Sequence, residues 1–182
     1  MIRTPIEANY ETYYAIHLNH YSTIWGGNTY NKILVTEMPS EDLISTSSTE
    51  STNVTFLYPR LISNKVYLDG VAEGHITIYN DTGSSSDVTT LNISLKKTED
   101  VPSNEETLGS YTATLSADNT ITDDNYLVLP FYITISEQTL EANEKLLFNI
   151  QFTSSTSGLK ISHALDSSLI DIKIKIPYAA NM

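Results

Sequence analysis

The feature that most constrains the fold is a regular alternation of apolar and polar side chains in the C-terminal half of the chain. The clearest case is the range 170–176, where four isoleucines alternate with Asp171, Lys173 and Lys175. The same period of two runs through the ranges 91–95, 127–135 and 146–152. Because successive side chains of a β-strand point to opposite faces, each range predicts a strand with one buried and one exposed face.

The alternation also predicts which way individual side chains point. In the range 146–152, Phe148 falls on the buried face and Asn149 on the exposed face. Since a buried charge loses the water that stabilises it, we expect Phe148→Asp to abolish soluble folding and Asn149→Asp to be nearly silent.

Shorter β-forming runs complete an all-β pattern. They occupy the ranges 33–35, 54–58, 65–68, 74–80, 110–115 and 159–162, and turn-forming residues such as Asp69 and Gly70 separate them. The sequence shows no crossover helices of the kind that a parallel sheet needs. We therefore predict an antiparallel β-sandwich of jelly-roll or Greek-key type, with about nine or ten strands and an aromatic-rich N-terminal arm.

A polar tract divides the chain. Residues 45–53 are mostly serine and threonine and have no apolar periodicity, so they predict a loop. The range 1–44 is then the N-terminal arm with the first strand, and the range 54–182 is the sandwich domain.

The arm is dense in large aromatic side chains, which are Tyr10, Tyr13, Tyr14, Tyr21, Trp25 and Tyr30. Tyrosine and tryptophan combine a large apolar area with one polar group, and they are frequent at protein interfaces. We take these six residues as candidates for docking or oligomer contacts. The alternative, in which the same rings cover the open end of the chain's own core, stays open at this point.

Composition excludes several classes of function. The 182 residues include no cysteine, which removes disulfides, thiolate nucleophiles and cysteine-ligated metals. A net charge of −12 disfavours nucleic acid as a direct partner, because binding to a phosphate backbone needs Lys and Arg. The sequence has neither an apolar run long enough for a membrane span nor an apolar signal-peptide core, so we expect a soluble protein with no membrane partner.

Candidate catalytic and metal-binding residues are few. His17 and His20 have the spacing of two ligands on a helix face, but no helical pattern surrounds them. The oxygen-rich range 118–124 lacks the glycine and the terminal glutamate of a helix-flanked calcium loop. No serine lies in a Gly-x-Ser-x-Gly turn, and His75 and His163 stand alone at predicted strand edges, where we expect surface residues. We expect no metal, no cofactor and no enzymatic activity.

The serine-, threonine- and asparagine-rich strands, the lack of cysteine and the aromatic arm occur with a distinctive closing segment, in which ANEKLLFNIQFTSSTSGLKISH precedes the final strand LIDIKIKIP. In this combination the chain resembles virion structural proteins of tailed bacterial or archaeal viruses, such as capsid decoration, head-fibre or tail-associated β-sandwiches. The resemblance implies a non-enzymatic protein located in the virion. It also implies a symmetric homo-oligomer, with a trimer favoured, and contacts with other virion proteins such as the major capsid protein.

A carbohydrate- or receptor-binding β-sandwich is the alternative function. Exposed aromatic rings would then stack on sugar rings, and the candidates are Trp25, Tyr58, Tyr67, Tyr79 and Tyr132. Cross-strand pairing is the commoner use of such rings in a sheet, so a glycan partner depends on which of them are exposed.

Overall fold

A computed structural model shows an all-β chain, as the alternation predicts. It describes residues 9–17, 23–25, 28–30, 32–37, 53–58, 64–80, 82–99, 104–115, 120–155, 159–161 and 172–178. The strands are β1 (Asn9–His17), β2 (Thr23–Trp25), β3 (Asn28–Tyr30), β4 (Lys32–Val35), β5 (Asn53–Leu57), β6 (Val66–Asn80), β7 (Ser86–Thr98), β8 (Glu106–Thr114), β9 (Thr120–Ile121), β10 (Asn125–Leu140), β11 (Lys145–Ser154), β12 (Lys160–Ile161) and β13 (Ile172–Tyr178). Within the described ranges no helix has the length and apolarity that a membrane crossing requires.

Most of the described strands belong to one sheet. Its order is β10, β6, β13, β1, β4, β5, β11, β7 and β8, with β12 paired to β6 and β9 to β7, while β2 and β3 form a separate hairpin. The nine strands along this path agree with the nine or ten strands that the sequence predicts. The pairs are antiparallel except for β4 and β5, which run parallel. A parallel pair needs a long connection, and residues 36–52 between these two strands supply one.

The two ends of the sheet, β10 and β8, meet and nearly close it. A Cβ atom at Gly109 of β8 would lie 2.6 Å from the carbonyl oxygen of Thr134 in β10, so this approach requires glycine. Pro130 is tolerated inside β10 because this strand pairs with a neighbour on one side only. The layers of the expected sandwich are therefore two halves of one continuous sheet.

These two halves face each other across the core. We call β10, β6, β13 and β1 the tyrosine wall, and β5, β11, β7 and β8 the polar wall; β4 joins them. The rings of Phe131 in β10 and Phe148 in β11 meet across the interior, with centroids 5.6 Å apart.

The buried faces of the strands are those that the alternation predicts. Phe148 is fully buried, and so are Ile172, Ile174 and Ile176 of β13. Burial of each large apolar side chain contributes about 1.5–3 kcal/mol to the free energy of folding. This core is therefore the main contribution that offsets the conformational entropy lost on folding.

Asn149 lies on the outer face as predicted, and its side chain forms hydrogen bonds to β5. Its Nδ2 donates hydrogen bonds to Oδ1 of Asn53 at 2.9 Å, to Oγ1 of Thr55 at 2.9 Å and to the carbonyl of Val54 at 3.2 Å. Asn149→Asp would remove a donor group with three acceptors, so the structure predicts a loss of stability where the pattern alone predicts a nearly silent change.

The first part of the chain contributes an interior strand. β1 pairs with β13 on one side and β4 on the other, with Tyr13 opposite Ile174 and Tyr14 opposite Val35. The predicted arm and the predicted sandwich domain thus share one sheet where they are described, and residues 45–52 of the polar tract lie outside the described residues.

β6 runs unbroken from Val66 to Asn80, through the turn predicted at Asp69 and Gly70. The pairing with β10 shifts register at this point, between Ile135 and Gln138. This is a β-bulge, in which Asp69 of β6 lies opposite both Ser136 and Glu137 of β10.

Candidate functional site

The tyrosine wall carries the large apolar and aromatic side chains that are exposed among the described residues. They are Tyr10, Tyr67, Val71, Tyr126 and Tyr132, and all five lie on β1, β6 or β10. In the described strands of the polar wall no side chain of this kind is exposed. Exposed apolar surface that is concentrated on one face marks an interaction site.

The centre of this face is a depression over β6, which we call the Gly74 depression. Two rows of paired residues define it: Tyr132 of β10, Glu73 of β6 and Lys175 of β13 form one row. The next row, along the strands, contains His75 of β6 and Lys173 of β13. The depression has a volume of about 290 Å³ and is lined by Glu73, Gly74, His75, Tyr132, Lys173 and Lys175.

Gly74 determines how closely the strands approach beneath this depression. A Cβ atom at Gly74 would lie 2.1 Å from the carbonyl oxygen of Lys173 and 2.7 Å from the ring of Phe131. Backbone and core both occupy the space that a side chain would need, so any other residue would push β13 away from β6.

The depression has a surplus of positive charge on an acidic protein. Nζ of Lys175 lies 3.2 Å from a carboxylate oxygen of Glu73, and both side chains are about half exposed, so this pair contributes little to stability. Nζ of Lys173 lies 5.6 Å from the ring centroid of Tyr14 in a cation–π contact. Among the carboxylates that the structure describes, none forms an ion pair with Lys173.

His75 adds an unsatisfied polar atom. Its Nε2 is buried and has no hydrogen-bond partner among the described residues. The residue opposite it in β10 is Pro130, which has no N–H to offer. His75 was expected to be a surface residue; the structure shows it half-buried, with Nε2 shielded from solvent.

This arrangement is suited to binding a small polar ligand. Tyr132, with 57% of its surface exposed, presents a ring for stacking, while the two lysines donate hydrogen bonds and Glu73 accepts them. In the described part of the chain, the depression included, there is no cluster of three or more His, Asp or Glu side chains that could hold a metal ion.

Three of the six predicted interface residues lie on β1. Tyr10 is exposed on the tyrosine wall, and Tyr14 is half-buried beside Lys173. Tyr13 is fully buried, so it is a core residue of this chain and is not accessible to a partner.

The hydroxyl of Tyr13 belongs to an internal network. It donates to Oε2 of Glu11 at 2.7 Å and forms a very short hydrogen bond with the hydroxyl of Tyr178. Burial raises the pKa of both tyrosines well above the ordinary value, and the mutual contact raises that of Tyr13 further.

The other three predicted interface residues are described only in part. Tyr30 is half-buried in β3, Trp25 lies in β2 with its side chain outside the described part, and Tyr21 lies outside the described residues. Their roles in docking stay predictions.

The residues weighed for metal binding have structural partners or lie outside the described part. Oδ1 of Asp123 accepts a hydrogen bond from the backbone N–H of Gly83 at 2.8 Å, and Oδ1 of Asp124 accepts one from the hydroxyl of Tyr79 at 2.5 Å. The first bond joins the loop that contains Asp123 to the loop that contains Gly83, and the second joins Asp124 to β6. The side chain of His17 and the whole of His20 lie outside the described residues.

Two of the aromatic candidates for sugar stacking pack against other aromatic rings of the chain. Tyr58 packs edge-on against Tyr13, with centroids 5.1 Å apart, and Tyr79 stacks on Tyr126 at 4.8 Å. Tyr67 and Tyr132 remain exposed, and Tyr132 alone of these lines the depression.

The chain is similar to several solved structures at low sequence identity, and of three such structures one has a TM-score above 0.5. A CocE/NonD family hydrolase from Staphylococcus aureus matches with a TM-score of 0.54 and 13% identity, over 95% of this chain and 37% of the hydrolase. An aminopeptidase from a marine sediment archaeon, Thaumarchaeota archaeon, matches with a TM-score of 0.49 and 11% identity, over 96% and 36%. An Eiger TNF from S. frugiperda matches with a TM-score of 0.42 and 11% identity, over 95% and 94%.

These similarities concern the fold alone. The chain spans roughly a third of the length of the two enzymes, and scores below 0.5 support no inference. Protein-family models and curated proteins give no match to this sequence. Since one fold hosts many functions, the function must be argued from the site.

Proposed function

We propose that the protein is a non-enzymatic structural protein of a virion, which decorates or stabilises the particle through symmetric contacts. Its partners are copies of itself, with a trimer favoured, and other virion proteins such as the major capsid protein. The sequence resemblance supports the class of protein, and the tyrosine wall supports the mode of action, since many weak identical contacts give stable occupancy of a lattice.

The observation that carries this proposal is the concentration of exposed tyrosines on one wall. Tyr10 and Tyr132 are both more than half exposed, and tyrosine is among the residues that dominate binding at interfaces. The occupant we propose for this wall is a second copy of the chain. Lys175 lies between these rings in the sheet and Lys173 lies beside it on β13, and a chain with a net charge of −12 offers complementary acidic surface.

The test is the absolute mass of the full-length protein in solution, measured by light scattering coupled to size exclusion. We expect a defined trimer or larger ring, and we expect the double variant Tyr10→Ser, Tyr132→Ser to run as a monomer with unchanged thermal stability. Gln151→Ser on the polar wall is the matched control and should keep the mass of the unmodified protein. A monomer at all concentrations, or a double variant with undiminished mass, would contradict the proposal.

A second candidate function is binding of a carbohydrate or a glycosylated receptor. The observation that favours it is the exposed ring of Tyr132 beside the Lys175–Glu73 pair, which places a stacking surface next to hydrogen-bond donors and acceptors. Glycan-array binding that disappears in Tyr132→Ala, and persists in Tyr126→Ala, would support this candidate. Binding that is indifferent to Tyr132 would exclude the depression as its site.

A further inference from the structure

The Gly74 depression has the dimensions of a site for one ring. Its floor is β6 and its sides are β10 and β13, so Tyr132 and Lys175 stand about 10 Å apart across two strand spacings. With a volume of about 290 Å³, the space lies at the lower end of small-molecule sites. A single sugar ring has a size suited to a space of this volume, and its apolar face can stack on the exposed ring of Tyr132.

The charges of the depression select among such ligands. Glu73 neutralises one of the two lysines, and Lys173 forms no ion pair with a described carboxylate, which leaves a surplus of one positive charge. On a protein with a net charge of −12, this is a local reversal of sign. Partly exposed cations on a concave surface attract an anionic group and donate charge-assisted hydrogen bonds to it.

His75 supplies a further reason for the depression to accept a polar group. A buried ring nitrogen without a hydrogen-bond partner is less stable than one with a partner. Because His75 lines the depression, a polar group of a ligand bound there can become the hydrogen-bond partner of Nε2.

We propose that the Gly74 depression binds a sugar ring that carries a carboxylate group, with the ring on Tyr132 and the carboxylate at Lys173. This inference rests on the carbohydrate-binding candidate and names its ligand class: uronic acids and related acidic sugars. The Lys175–Glu73 pair then contacts the ring hydroxyls, because it offers both a donor and an acceptor.

The experiment is an array of oligosaccharides of glucuronic, galacturonic and N-acetylneuraminic acid, each presented beside its methyl ester. The ester keeps the ring and removes the charge. We expect the full-length protein to bind at least one free acid about tenfold or more tightly than its ester, the effect of one charge-assisted hydrogen bond. Raising the NaCl concentration should reduce this preference.

Three variants locate the effect. Lys173→Gln should bring acid and ester to within about twofold of each other, and Tyr132→Ala should weaken both about tenfold or more. Lys96→Gln on the polar wall, where Lys96 pairs with Glu105 at 2.7 Å, is the control and should leave the preference unchanged.

The outcomes separate the inference from the functions on which it rests. Acid and ester that bind equally, with both lost in Tyr132→Ala, would overturn the carboxylate inference and keep the carbohydrate candidate. No binding to any acid on the array would overturn both. If a trimer forms in that case and depends on Tyr132, the depression holds an acidic segment of a second copy.

Discussion

The outer faces of the tyrosine wall and the polar wall are built from the same alternation but from different chemistry. On the polar wall, hydroxyl and amide groups bond to one another: Oγ1 of Thr153 lies 2.7 Å from that of Thr89 and 2.5 Å from that of Thr90. On the tyrosine wall, by contrast, Tyr10 and Tyr132 stand exposed. An outward-facing position of a strand can therefore contribute to stability or to recognition, depending on whether neighbouring side chains bond to it.

A substitution in the core between the two walls should have the largest effect on folding. Phe148 touches both Phe131 on the tyrosine wall and Phe56 on its own wall, and a charge there has no partner. We expect Phe148→Asp to prevent soluble folding. Gln151→Asp, three residues further along β11 and exposed, should express and melt like the unmodified protein; similar insolubility of both variants would break the register on which the two walls are defined.

The next largest effects on stability are expected at Gly74 and Gly109, where two strands approach each other closely. A Cβ at Gly74 or Gly109 would meet a carbonyl oxygen of the adjacent strand, so we expect each alanine variant to lose about 2–3 kcal/mol of unfolding free energy or to fail to fold. Urea denaturation measures this loss. Ser110→Ala, beside Gly109 and exposed, is the control and should stay within about 0.5 kcal/mol; an equally stable Gly74→Ala would mean that β6 and β13 are farther apart than described.

The buried tyrosine pair predicts a pH dependence. Burial raises the folded-state pKa of Tyr13 and Tyr178, so above the ordinary tyrosine pKa of about 10 the unfolded chain loses its protons first. Stability is therefore complete below that pH and falls as the pH rises, by up to about 1.4 kcal/mol per pH unit for Tyr13.

Denaturation at pH 8, 9, 10 and 11 measures this slope. The double variant Tyr13→Phe, Tyr178→Phe should lose less stability between pH 9 and 11 than the unmodified protein. Identical slopes would show that these hydroxyls are accessible to water, and the core of β1 would then need revision.

The smallest effects compare the two outer faces directly. Asn149→Ala removes the hydrogen bonds from Nδ2 to three acceptors of β5 and should cost about 1–2 kcal/mol of unfolding free energy. Tyr132→Ala removes an exposed ring and should change the unfolding free energy by no more than about 0.5 kcal/mol. If the tyrosine change costs more than the asparagine change, Tyr132 serves the fold rather than recognition.

Local pattern was sufficient for much of the fold. A period of two assigns the buried faces without knowledge of neighbouring strands, and for this reason Phe131, Phe148 and Ile174 were predictable. The same pattern did not identify β1 as a strand, because its buried residue Tyr13 is as suitable for an interface as for a core.

The site depends on information that is not local. Tyr132, His75 and Lys173 are brought together only because β10, β6 and β13 are neighbours in the sheet, and strand order does not follow from periodicity. Two signals were present in the sequence. Pro130 indicates a strand with a free edge, and the lysines that alternate with isoleucine in the last strand indicate a charged outer face.

The most direct test of the account is lysine reactivity toward reductive methylation, read by mass spectrometry in the full-length protein. It should be measured at low and high protein concentration, and then with any sugar that the array selects. We expect Lys173 and Lys175 to lose reactivity when the protein associates or binds sugar, while Lys96 on the polar wall keeps its reactivity. Protection of Lys96 with Lys173 and Lys175 unchanged would contradict the assignment of recognition to the tyrosine wall.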